Sequence, residues 1–210
     1  MDSNINISYN KKMESKLNDS NPDEMAQEIR ILETERCFLR PPSVDDHDEV
    51  WTAAHHEANI TKGMLWDPPK TKEEMNDWTE RSVSGWKQGN NLSWTIENKN
   101  TKEFLGRIVI RQQENMKNTW YMGYWIHPEQ EGKGYTTEAA KAVRDAGFKI
   151  MKIDTLISSH ADWNIGSGRV LAKIGMRHTG HNPKGFIKHG KNVPEEEYKM
   201  TYDEWLHLNR

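Results

Sequence analysis

Glu131-Gly-Lys-Gly-Tyr-Thr136 sets two glycines around a lysine, between an aromatic, apolar run and a segment of helical periodicity. The run Trp120–Ile126 stops at Pro128, whose fixed φ and missing amide proton end a strand. A strand, a short glycine turn and a helix start together make an anion site. Gly132 and Gly134 let the backbone approach a ligand closely, and the helix start offers unpaired N–H donors with a partial positive charge. The chemistry to expect is the holding of a phosphate group. The order Gly-Lys-Gly-Tyr lacks the Gly-Lys-Ser/Thr ending of a P-loop. It also lacks the three-glycine spacing of a dinucleotide fingerprint. Gly166 and Gly168, further on, have no third glycine at that spacing either.

The elements that position this turn follow from periodicity. Residues 1–29 are polar without a sustained period, so a disordered tail is expected there and a folded domain over 30–210. Ile31 to Arg40 reads as a first strand closed by Pro41-Pro42. Ser43 with Asp46, and Thr71 with Glu74, each read as a capping box opening a helix. Leu92–Ile96 and Phe104–Ile110 alternate like paired strands joined by a turn at Asn98–Thr101. A further strand covers Thr119–Ile126. Ala139, Ala140, Val143, Ala146 and Ile150 recur at helical spacing behind the turn. A strand over Ile153–Ser159 follows, then a short helix capped by Asn164 and stopped at Gly175, and strands near Met176–His181 and Glu197–Tyr202. The expected architecture is a single α/β (α+β) domain: a mixed, mostly antiparallel central sheet flanked by helices.

Composition narrows the function. A formal charge of -3 and a pI near 6.3 give no basic footprint for nucleic acid. No apolar run approaches the roughly 18 residues that span a bilayer, so no membrane partner is expected and the cytoplasm is the default location. The one cysteine, Cys37, excludes an internal disulfide and a multi-cysteine metal site. Beside Phe38 and Leu39 in a strand it reads as a small core residue. No metal is expected.

Four stretches, in order, carry a family resemblance: Leu32-Glu-Thr-Glu-Arg-Cys-Phe-Leu-Arg40, Leu65-Trp-Asp-Pro-Pro69, Gly123-Tyr-Trp-Ile126 with Gly132-Lys-Gly-Tyr-Thr-Thr-Glu-Ala139, and Asn164-Ile-Gly-Ser167 through Lys173-Ile-Gly-Met176. Residues 31–205 resemble a GNAT-superfamily acetyltransferase, in particular the branch typified by the RimJ and RimL ribosomal-protein N-acetyltransferases. The resemblance implies acetyl-CoA as donor co-substrate, a primary amine as acceptor, and a monomer or homodimer. It assigns cofactor binding to Trp125, Ile126, Glu131, Gly132, Lys133, Gly134, Tyr135, Thr136, Asn164 and Lys173, and acceptor binding to Trp66 and Tyr121. In the family the strand before the turn splays from its neighbour and its free backbone groups pair with pantetheine; Trp125 and Ile126 hold that place here.

Two chemical demands remain. The amine, with a pKa of about 8 to 10, must lose a proton, and the departing thiolate, near about 8.5, gains one. The resemblance places Ser167 as proton donor and Asn164 beside it as the residue that positions coenzyme A or a water. Read from the residues alone, Asn164 is an ordinary helix cap and Ser167 an ordinary first-turn serine. No base is legible. Tyr121 stands where relatives often carry a carboxylate; His127 and a water relay are both open, and Glu129 replaces the Gln or Arg common in relatives. Trp51, Trp78 and Trp86 read as core. A protein N-terminus, a polyamine, an amino sugar and an antibiotic amine all stay open as acceptors, as does a CoA-binding sensor without turnover, a reading prompted by Gly166 and Gly168 in the helix.

Overall fold

The stretch before Pro41 is a hairpin rather than one strand. The computed structural model describes residues 28–210, and in it β1 (Leu32–Glu33) and β2 (Cys37–Arg40) pair antiparallel, the turn closed by Thr34 N donating to Cys37 O at 2.9 Å. Of the tail expected over 1–29, positions up to 27 lie outside the described residues. Ile29 is fully buried, and its carbonyl accepts from Trp94 Nε1 at 3.0 Å. The packed chain therefore includes Ile29.

Ser43 and Asp46 form the expected capping box, over a single tight turn (Val44–Asp46) that leads into α1 (His47–Ala54). The second box is not made. α2 (Glu74–Gln88) begins behind Glu73, which makes no side-chain cap bond, and the Thr71 hydroxyl donates to the Glu73 carboxylate instead. β3 (Asn91–Asn98), β4 (Phe104–Gln112) and β5 (Thr119–Ile126) form the expected meander. Asn98 Oδ1 accepts from Asn100 N and Thr101 N and so builds the first turn.

α3 (Tyr135–Lys149) follows the glycine turn, and β6 (Thr155–Ala161) follows α3. β6 starts later than Ile153 because that side chain is taken into the core. α4 (Ile165–Lys173) has Asn164 as its N-cap. β7 (Arg177–Lys188) and β8 (Lys191–Thr201) run further than their expected cores at 176–181 and 197–202, since a hairpin pairs through its backbone even where its side chains are polar. Tyr202 opens α5 (Tyr202–Leu208), capped by a box between Thr201 and Glu204 that sequence reading missed.

The eight strands lie in the order β1-β2-β3-β4-β5-β6-β8-β7. Every neighbouring pair is antiparallel except β5 with β6. That parallel pair joins only Thr119 to Thr155, Trp120 to Leu156 and Tyr121 to Ile157. Beyond Tyr121 the two strands part. The even residues Trp120 and Met122 enter a core with Ile108, Ile110 and Leu156, against which α3 packs Ala139, Ala140, Val143 and Ala146. Each fully buried large aliphatic chain contributes about 1.5–3 kcal/mol relative to exposure, and the alanines let the helix lie close to the sheet.

One charged group is buried on the opposite face. Asp46, 3% exposed, accepts from Arg40 Nη2 and Thr95 Oγ1, each at 2.6 Å, and from Ser43 N at 3.0 Å, with Arg107 Nη2 at 3.5 Å. Burial works against its charge, yet these donors outweigh it and hold the carboxyl below the ordinary range. Asp46→Asn leaves Arg107 without its carboxylate and Arg40 with Glu97 alone, and should cost about 3 kcal/mol in urea unfolding, as for breaking a buried pair. Because the folded pKa is depressed, the Asp46 contribution is complete above about pH 4, the unfolded value, and is lost as pH falls through the lower folded one. The variant should lack that acid-dependent component.

Candidate active site

The glycine turn has the geometry its residue types require. Gly132 and Gly134 stand at φ +73° and +84°, left-handed values that other residues reach only with strain. A Cβ on Gly132 would meet nothing within 4 Å, so this side of the turn is open to a ligand. Gly134 is the N-cap of α3, and the first helical bond runs from Glu138 N to Gly134 O at 3.1 Å. The amides ahead of it, through Tyr135 and Thr136, are the donors a helix start leaves unpaired. This arrangement fits a pyrophosphate.

What fastens the turn is a residue outside the sequence-assigned set. Arg36 donates through Nη1 to Lys133 O at 3.0 Å and through Nε to Glu138 Oε2 at 2.7 Å, while its guanidinium lies 4.7 Å from the Tyr135 ring centre. Glu138 also accepts from Arg36 N at 2.7 Å and Thr34 Oγ1 at 2.5 Å. Burial opposes the Glu138 charge, and these donors hold its carboxyl below the usual range nonetheless. The exposed Lys133 folds back along the turn: its Nζ donates to Gln130 Oε1 at 2.8 Å, and Gln130 in turn bonds Glu103 at 2.5 Å. Tyr135 OH accepts from Asn98 Nδ2 at 3.3 Å, so the ring braces the turn from behind.

Where β5 and β6 part, each face carries its own set of groups. On the α3 face Ser158 Oγ donates to Met122 O at 2.8 Å, covering the first carbonyl that β6 no longer reaches. On the same face Tyr124 OH lies 3.0 Å from both the carbonyl and Oγ of Ser167. Burial raises the Tyr124 pKa, so the phenol stays protonated at neutral pH. Asn164 Oδ1 accepts from Ser167 N at 3.2 Å, the cap expected of it. Gly168 has a packing cause: a Cβ there would come within 2.7 Å of His160 Nε2. The glycine that made this helix look weak is thus required by the histidine beneath it.

The other face of β5 carries a different row of side chains. Alternation puts Tyr121, Gly123 and Trp125 on it together. Trp66 packs on Trp78 and Trp125, with ring centres 5.3 and 6.1 Å away, and Phe104 lies 5.7 Å from Trp125. Trp78 therefore belongs to this aromatic wall, only partly buried, whereas Trp86 is core and Trp51 stacks on His55 at 4.1 Å. Lys188 Nζ donates to Met64 O and Trp66 O, both at 3.0 Å, and pairs with Asp67 at 2.7 Å, tying the Trp66 loop to the β7–β8 hairpin. At the other end Tyr121 OH lies 3.3 Å from Ser159 Oγ, which donates to Glu195 Oε1 at 2.6 Å.

The structure brings Gly132, Gly134, Tyr135, Trp125, Asn164 and Ser167 to the two sides of one divergence, with Trp66 and Tyr121 on the face of β5 that carries Trp125. Glu131 and Thr136 flank the turn, and Ile126 ends β5 against the core. Lys173 stands exposed at the far end of α4, about 12 Å along the axis from its start. His127 Nδ1 accepts from Glu129 N at 3.3 Å, capping the turn after β5, and the ring faces a cavity of about 420 Å³ lined also by Asp46, Glu97 and Glu103. Glu129 is exposed. Burial pushes the Cys37 thiol up to about 12, which leaves it inert. Arg36, Glu138, Tyr124, Ser159 and Glu195 went unassigned because their partners lie on other elements, distant in sequence and beyond any local signal.

Among the described residues no group of three or more His, Cys, Asp or Glu could hold a metal, and no helix is long and apolar enough to cross a membrane. Comparison with known proteins agrees with this geometry. The family model for the acetyltransferase (GNAT) domain matches residues 36–177. The uncharacterized N-acetyltransferase YnaD of Bacillus subtilis (strain 168) is 36% identical over 176 residues, covering 83% of this chain and 98% of that one. A GNAT-family acetyltransferase structure from Bacillus anthracis superposes with a TM-score of 0.73 at 24% identity, over 82% of this chain and 99% of the other. RimL, the ribosomal L7/L12 α-N-protein acetyltransferase solved with coenzyme A, gives a TM-score of 0.74 at 16% identity, over 83% and 99%. With its fold, its glycine turn and these matches together, the chain belongs to the GNAT family of acetyltransferases.

Proposed function

We propose that this protein transfers the acetyl group of acetyl-CoA to a primary amine by direct attack in a ternary complex, the acceptor being the N-terminal α-amine of a protein or peptide. The observation that supports this reading is the parting of β5 from β6 after Tyr121, beside a turn with Gly132 and Gly134 at positive φ. A thioester laid along the free edge of β5 has Ser167 on one face and Gly123 on the other. The amides of the Gly132–Thr136 turn hold the pyrophosphate, and the Ile126 amide, on the edge of β5 that β4 does not use, lines the pantetheine and faces the developing oxyanion. Ser167, held by Tyr124 and Asn164, gives its hydroxyl proton to the departing sulfur. The acceptor preference is supported by the likeness to RimL, which acts on a ribosomal-protein α-amine. A cytoplasmic location and a monomer or homodimer complete the reading.

A small-molecule amine is the second reading. It is favoured by the Lys188 and Asp67 bonds that fasten the Trp66 loop across the Trp125 face of β5 and enclose its aromatic end. A screen of thiol release against peptides with varied first residues, polyamines and amino sugars separates the two. Turnover confined to polyamines or amino sugars would rule out the peptide reading.

Ser167→Ala should lower kcat about 100-fold, at the low end for a lost general acid, with acetyl-CoA affinity by calorimetry little changed. An unaltered kcat would remove Ser167 from the acid role. Gly134→Val should weaken acetyl-CoA about tenfold, because a β-branched residue at φ +84° costs about 1–2 kcal/mol and crowds Arg36 Nη2, 3.4 Å from the added Cβ. Unchanged affinity would move the phosphate site elsewhere.

A further inference from the structure

We propose that Tyr121, Ser159 and Glu195 form a proton relay that takes the proton from the acceptor's ammonium group, with Tyr121 touching the amine and Glu195 ending the chain. The proposal rests on the acetyl-transfer reading above. Its groups come from three strands, β5, β6 and β8, and meet where β5 and β6 separate: Tyr121 is the last β5 residue paired to β6. Ala161 and Glu195 are register partners on β6 and β8, which brings the carboxylate alongside Ser159.

The chain has one direction. A serine hydroxyl holds a single proton, and Ser159 donates it to Glu195 Oε1 at 2.6 Å. Ser159 Oγ is then left to accept, so the 3.3 Å contact is a Tyr121 hydroxyl donating to it. The lone pairs of the Tyr121 oxygen remain for a proton arriving from the acceptor. Gly123 keeps the floor beside Tyr121 clear, since even an added Cβ would lie 3.5 Å from Tyr121 Cε1. The Arg111 guanidinium, 4.7 Å from the Tyr121 ring centre, favours negative charge passing through the phenol.

The step balances. The ammonium gives one proton to the Tyr121 oxygen as the Tyr121 proton moves to Ser159 and the Ser159 proton to Glu195, leaving a neutral amine and a protonated carboxyl. The nitrogen lone pair then forms the C–N bond, and the C–S bond breaks with its electron pair going to sulfur. The second nitrogen proton replaces the one sulfur takes from Ser167, through solvent, and the partly exposed Glu195 releases the first to bulk water. Other charged groups on this face are Arg111 from β4, Glu197 and Lys199 from β8, and Arg177 from β7; Glu197 accepts from Asn182 Nδ2 at 3.3 Å and Arg177 pairs with Glu204 at 3.0 Å. Ser159 and Glu195 are positioning residues that act through Tyr121.

The test is kcat/KM for the acceptor from about pH 6 to 10, spanning amine titration, with a seryl peptide and with spermidine, for wild type, E195Q and Y121F. E195Q should lose about 100-fold near pH 7 and recover as pH nears the acceptor's own pKa, so that the ascending limb moves upward. Y121F should move it alike, and acetyl-CoA affinity should hold in both. An unmoved limb, or an equal loss at every pH, would overturn the relay. S159A breaks the chain at its middle and should give the same moved limb, which decides the matter if E195Q does not fold. Wild type releasing no thiol with these two amines or with any amine of the peptide, polyamine and amino-sugar screen would instead overturn the acetyl-transfer reading itself.

Discussion

β5 forms seven residue pairs with β4 but three with β6, while β6 forms seven with β8. Each half of the sheet is thus locked to its own neighbours, and the right-handed twist that each accumulates carries the two strands apart once pairing stops. From Met122 to Ile126, β5 presents one edge without a β6 partner. An unpaired backbone group in a closed site costs about 1–3 kcal/mol. Ser158 Oγ relieves the first of them at Met122 O. A ligand that pairs with the rest recovers what the fold leaves open, which is how a gap in a sheet becomes a binding cleft.

Everything chemical is arranged around that gap. Its mouth carries the glycine turn, where the positive end of α3 would by itself attract the Glu138 carboxylate. Arg36 and Thr34 occupy that carboxylate instead, and the same arginine clamps Lys133 O. The charge in the first helical turn is neutralised, and the amides stay free for an incoming anion. Farther in, Tyr124 and Ser167 occupy one face while Tyr121, Ser159 and Glu195 occupy the other. A strand alternates its side chains, so under the proposed reaction one stretch of β5 would serve a leaving group on one side and an acceptor on the other. Gly123 sits between the two tyrosines and keeps the acceptor side open.

Reading along the chain recovered the elements whose signals are local. β3, β4 and β5 came from alternation and the Asn98 turn, α3 from its alanine stripe, and the starts of α1 and α4 from Ser43 and Asn164. The Thr71 box misled because a capping pattern needs the chain to enter the helix there, and the chain is still bending over residues 70–72 and turns into the helix only at Glu73. α5 was missed because it is brief and its apolar side chains find their partners, Phe148 under Trp205 and Gly175 beside Leu208, on distant elements. The Arg36–Glu138 clamp spans 102 positions and the Ser159–Glu195 bond 36, so neither leaves a trace within a sequence window. Gly168 looked like a helix defect, and its reason is a histidine on another element.

By itself the sequence determined the backbone of the turn: a strand, two glycines at positions needing positive φ, and a helix start give the geometry that a phosphate site would use, and neighbouring residues alone control it. It also determined the class of fold, since periodicity is a local property. Tertiary structure decided the acceptor side. Which aromatic rings gather beside Trp125, which hydroxyl reaches Ser167, and which carboxylate stands behind Tyr121 all depend on strands distant in sequence being laid side by side. Those contacts are set by strand order and register, which no single stretch of the chain encodes.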